Sequence, residues 1–152
     1  MVKNQLHTFA YTLIALLGSL LFPIQICAQD VTATWDFKNK TPVEAGQVAL
    51  QGNTGEVPSN IEGISLFVDA TNGKFNSADR TGDAQVNAGT IIRVPVKSAR
   101  DIVKLTPSPN YGNFTIGGEA ADLVNPTEHK ATTAEVEAGY VEIVATGGRA
   151  PG

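Results

Sequence analysis

The chain has 152 residues, with 11 Lys and Arg against 15 Asp and Glu and a net charge of −4. That balance excludes partners held by bulk positive charge, such as nucleic acid or an anionic membrane surface. A single cysteine allows no internal disulfide, so the fold has to rest on buried apolar area.

Residues 1–28 read as a signal peptide: Lys3 gives a positive start, residues 12–24 form an apolar run broken by Pro23, and Ala28 precedes the cleavage point. The run is shorter than the roughly 20 apolar residues of a membrane span. The expected location is secreted, periplasmic or at the cell surface. Cys27 would be the anchor of a lipoprotein, but the bulky Ile26 stands where lipid attachment takes a small residue. Removing the leader takes away His7 and Cys27 and leaves 124 residues. That is the size of one domain, expected over residues 29–146 with 147–152 as a tail or linker.

In chain order, residues 33–37 (ATWDF) predict a strand with Trp35 and Phe37 on its core face. The Gly-, Pro- and Asn-rich stretch 38–60 predicts loop, with one brief strand at 48–50. Residues 64–69 (ISLFVD) predict a strand, and Asn72-Gly73 before Lys74 and Phe75 predicts a type I′ turn closing a hairpin. Asp69, Thr71 and Asn72 place several oxygens in that loop, a set that suits calcium, although turn formation uses the same residues. A short strand at 84–86 precedes the main one. From Gly89 to Pro107, alternation puts Thr90, Ile92, Val94 and Val96 on one face and Ile91, Arg93 and Pro95 on the other. After a polar break, Val103 and Leu105 resume the pattern, and the two strands are expected to pair as a hairpin. Pro95 has no N–H to give a ladder, which places it at an edge, at a bulge or on an unpaired side. Residues 107–112 (PSPNYG) predict a loop with Tyr111 at its tip. Residues 114–116 predict a strand closed by Gly117-Gly118, and 119–124 a loop. Residues 134–138 predict one helical turn ended by Gly139. The last strand, 140–145, sets Val141, Ile143 and Ala145 against Tyr140, Glu142 and Val144. About eight short strands with no helix long enough for a βαβ unit predict an all-β antiparallel sandwich of the jelly-roll kind.

Catalytic groups are sparse. His129 is the one histidine beyond the leader and falls in a polar stretch, PTEHK, that reads as solvated loop. Glu135, Glu137 and Glu142 read as surface charge without a placeable partner. The glycines at 117 and 118 lack a following helix of any length and form a turn, not a phosphate cradle. For binding, the candidates are Tyr111, Asn110 and Asn113 in and after the loop, and the basic set Arg93, Lys97, Arg100 and Lys104. Aromatic faces stack on sugars and arginine forks grip carboxylates, which suits an acidic polysaccharide such as pectin.

Five segments in order, TWDF (34–37), VPSNIEGISLFVDATNGKF (57–75), AQVNAGTIIRVPV (84–96), NYGNFTIGG (110–118) and AEVEAGYVEIVAT (134–146), resemble the non-catalytic β-sandwich module near the N-terminus of secreted bacterial pectate lyases and pectinesterases. The resemblance covers nearly all of the chain beyond the leader. It implies a galactose-binding-like jelly roll and a carbohydrate-binding accessory role in a pectin-degrading enzyme, with the catalytic domain C-terminal to it. The alternative is a structural spacer or docking domain with no ligand. Modules of this kind carry a further strand after the segment that here reads ATGGRAPG, so a sandwich lacking its final strand is expected. Such a strand would pair near residues 33–37, and without it their edge would be open.

Overall fold

A computed structural model of the chain describes residues 32–35, 48–77, 84–106, 113–122 and 124–147. From Ala33 onward these belong to one compact unit. The segment expected as a leader, Cys27, Phe37, Asn110, Tyr111 and residues 148–152 lie outside the described residues.

The strands in chain order are β1 (Ala49–Gln51), β2 (Thr54–Pro58), β3 (Ser65–Asp69), β4 (Lys74–Asn76), β5 (Gln85–Val86), β6 (Ile91–Pro95), β7 (Ile102–Leu105), β8 (Asn113–Ile116), β9 (Glu119–Ala120), β10 (Thr127–Lys130) and β11 (Tyr140–Gly147). Among the described residues one short helix, α1 (Thr133–Ala138), precedes β11. A six-stranded sheet runs β2-β3-β6-β11-β8-β9, a three-stranded one β1-β4-β5, and a two-stranded one β10-β7. The pairings are antiparallel.

The core explains the layering. Val57, Leu66, Val68, Ile92, Ile116, Val141 and Ile143 come from one face of the large sheet and form a single buried cluster with Phe75 of β4 and Val103 of β7. The two small sheets therefore cover that face. The expected all-β antiparallel sandwich is what forms. The phase predicted for the two central strands also holds, since Thr90, Ile92, Val96, Val141, Ile143 and Ala145 are buried. Thr90, wholly buried, satisfies its hydroxyl across the layers: Oγ1 accepts the Lys74 N–H at 3.0 Å and donates to the Lys74 carbonyl at 3.1 Å.

Pro95 occupies the unpaired side. Val96 donates its N–H to Gly139 on the β11 side, so alternation points the Pro95 nitrogen toward β3, where the register stops at Phe67 opposite Arg93.

Both predicted hairpins are corrected. β6 already has β3 and β11 on its flanks, and β7 pairs instead with β10 in the covering layer. The switch is made by a turn in which Asp101 Oδ2 accepts the N–H groups of Lys97 and Ser98 at 2.7 and 3.0 Å. Likewise β3 does not pair with β4. Gly73 donates to the Ala70 carbonyl at 3.1 Å and lacks the positive φ of a type I′ turn. That turn hands the chain from the large sheet to the three-stranded one.

Three further expectations change. β2 forms within the stretch read as loop: its Gly and Pro suit a sheet edge, and Val57 alone carries the burial. β9 forms because Gly117 and Gly118, at φ 58° and 86°, make a two-residue turn that folds Glu119–Ala120 back onto β8. Residues 33–35 are not a strand. Thr34 and Asn60 are joined there by Thr34 N–H to Asn60 Oδ1 at 2.7 Å. Trp35 nevertheless packs against the core, with Nε1 donating to the Val57 carbonyl at 2.9 Å, so its core role stands.

Candidate functional site

The face of the large sheet turned away from the two small sheets is where its polar and aromatic side chains gather. Antiparallel register sets Glu56 beside Phe67, Phe67 beside Arg93 and Arg93 beside Glu142, while Tyr140 sits opposite Pro95 one row away. These positions alternate with the buried ones, so their side chains point outward.

Arg93 is the centre. Its Cζ lies 5.5 Å from the Phe67 ring centroid and 5.1 Å from that of Tyr140, within cation–π range of both. Its Nε donates to Glu142 Oε1 at 3.0 Å, with the two side chains 31% and 39% exposed. The Glu142 hydrogen bond, working against burial, holds the guanidinium more firmly protonated than usual, and the charges of Glu142 and Asp69 add to it. A shallow, open depression of about 350 Å³ lies here, lined by Ser65, Phe67, Arg93, Pro95, Gly139 and Tyr140.

Local sequence places the Tyr140 side of this depression. Thr132 and Glu135 form a reciprocal capping box that starts α1, and Gly139 at φ 86° ends it. The chain thus turns straight into β11 with Tyr140 on the outer face.

The basic set expected to act together is dispersed. Lys97 and Arg100 are exposed in the turn after β6, whereas Lys104 lies on β7 in the other layer, its Nζ 2.9 Å from Glu128 Oε1. Asn113 starts β8, exposed, and its carbonyl accepts the Thr146 hydroxyl at 3.3 Å. At the loop considered for calcium, Asp69 Oδ1 accepts the Thr71 N–H at 3.0 Å, an Asx turn. Hydrogen bonds from Thr71 hold the Asp69 carboxyl below its usual range. Among the described residues, no three His, Cys, Asp or Glu side chains group as metal ligands do.

His129 requires correction, because it lies on β10 and not in a solvated loop. It faces inward opposite Val103, its side chain only 15% exposed and its Nε2 2.9 Å from both carboxylate oxygens of Glu135. Glu135 Oε2 also accepts the Thr132 N–H and hydroxyl, each at 2.8 Å. Burial pushes the Glu135 carboxyl up, but the hydrogen bonds from His129 and Thr132 outweigh it and hold it below its ordinary 4.5. A carboxylate depressed in this way stabilises the fold fully above its unfolded value, and that contribution is lost as pH falls through the lower folded value. Stability of the chain should therefore drop more steeply below pH 4.5 than that of Glu135→Gln, measured as urea midpoints across the acid range. Parallel curves would refute this.

Sequence did not single out Phe67 and Tyr140 as site residues, and it read Glu142 as surface charge without a placeable partner. The available signal was phase: in ISLFVD, Phe67 is an aromatic on the face shared with Ser65 and Asp69, and Tyr140 likewise shares a face with Glu142.

Fold and face together define an antiparallel β-sandwich with an arginine held between two aromatic rings on its open sheet. No family model matches the chain, and no curated protein or solved structure is significantly similar to it. Among the described residues, no helix is long and apolar enough to cross a membrane.

Proposed function

We propose that this chain is a non-catalytic accessory module of a secreted pectin-degrading enzyme, and that it binds plant cell-wall polysaccharide on the outer face around Arg93. The observation that carries the binding role is the cluster itself. Half-buried Phe67 and Tyr140 supply apolar surface on which the C–H faces of a sugar can rest. The guanidinium and the Glu142 carboxylate beside them supply a donor and an acceptor for hydroxyl groups. An open, shallow face suits an extended polymer, which passes over it and need not be enclosed. The link to pectate lyases and pectinesterases rests on the five ordered segments quoted above.

Affinity electrophoresis in gels containing plant polysaccharides tests the reading. The chain should be retarded, and Tyr140→Ala should weaken retention by about threefold to tenfold, the worth of one aromatic contact. If the chain migrates freely in every gel, the spacer or docking role takes the place of binding.

A further inference from the structure

Among the described residues, the strands that form the outer face are short of positive charge. Across the six strands of the large sheet, Arg93 is the one Lys or Arg. Glu56, Asp69 and Glu142 share its outward phase, so in that phase, within the strands of this sheet, one positive charge stands with three negative ones, a net of −2. One donor of the Arg93 fork is moreover engaged: Nε serves Glu142, while the guanidinium is flanked by Phe67 and Tyr140. A ligand carboxylate approaching it would compete with Glu142 while entering the field of Asp69, whose charge acts on the same guanidinium. The other basic residues that would attract an acidic polymer lie off the strands of this sheet: Lys97 and Arg100 in the turn after β6, and Lys104 in the other layer beside Glu128.

We infer that the Arg93 platform takes uncharged sugar units, either methyl-esterified uronates or neutral sugars, and discriminates against the free carboxylates of polygalacturonate. This rests on the sugar-binding reading above and narrows its ligand. The physical basis is asymmetric. Stacking on Phe67 and Tyr140 and hydrogen bonding to Glu142 are available to any sugar ring, whereas the net negative field penalises only the charged one. Esterification removes that penalty without altering the stacked face.

The test uses the purified chain in gels of polygalacturonate, highly methyl-esterified pectin and neutral galactan, at low salt and at about 0.15 M, where charges more than about 8 Å apart are screened. Retention by at least one uncharged polymer should exceed that by polygalacturonate about threefold to tenfold at low salt, and the gap should narrow with salt. Glu56→Gln should also narrow it, because that side chain is exposed at the sheet edge and contributes charge alone. Equal or stronger retention by polygalacturonate that Tyr140→Ala weakens about threefold to tenfold would overturn the discrimination and leave the sugar platform standing. Retention by no polymer, or retention indifferent to Tyr140→Ala, would overturn the platform itself and the discrimination with it.

Discussion

Replacing Phe75 with alanine should destabilise the chain by about 3–5 kcal/mol, the range for truncating a buried phenylalanine. Phe75 is wholly buried and stands at the middle of the three-stranded sheet, opposite Leu50 on one side and Val86 on the other. Beneath it lies the inner face of the large sheet, and the buried cluster joins its ring to Val57, Val68 and Ile92. Collapse around the missing ring is restricted because the hydroxyl of Thr90 fastens β4 at Lys74. A void would remain, and its lining would lose dispersion contacts outright. Urea denaturation monitored by circular dichroism measures the change, with an unaltered slope showing that the loss belongs to the folded state. A cost under about 1.5 kcal/mol would mean that the small sheet does not seal the core.

Gly117→Ala should cost roughly 2–4 kcal/mol, combining left-handed backbone strain with overpacking. Gly117 has φ 58°, and an added Cβ would fall on the His129 ring. That ring cannot withdraw freely, since Nε2 is held by Glu135 and Glu135 in turn caps α1 through Thr132. Gly118 provides the internal control. It has φ 86° with nothing within 4 Å of an added Cβ, so Gly118→Ala should show only the backbone part, about 1–2 kcal/mol. His129→Ala should relieve the steric share of Gly117→Ala and none of Gly118→Ala, a coupling that a double-mutant cycle isolates. Equal costs at the two glycines would show that His129 does not lie under the turn.

What the sequence disclosed follows from what alternation encodes. The inner and outer faces of β6 and β11 were readable because their apolar residues recur at every second position over five residues or more. Choice of partner was not, because period two states which way a side chain points and says nothing of which strand lies alongside. Hence the strands at 91–95 and 102–105 looked like neighbours and are in different layers. β2 was hidden because Thr54–Pro58 offers a single buried apolar side chain between a glycine and a proline. β10 was hidden because its inward positions are Thr127 and His129, which mimic a polar loop until Leu105 and Val103 are seen opposite them. At the candidate site, Arg93 could be chosen by residue type. Its companions could not, since Phe67 and Tyr140 are distant in sequence and meet only when β3 and β11 flank β6.

The margins of the large sheet bear on self-association. One margin, β9, is only two residues long and exposes Glu119; the other, β2, places the outward carboxylate of Glu56 one residue from Val57 and ends in Pro58. A second copy arriving as an extended ribbon would find too few free amides at the first and a charge followed by a donorless residue at the second. At both of these margins, then, continuation of the large sheet into a neighbouring copy is disfavoured.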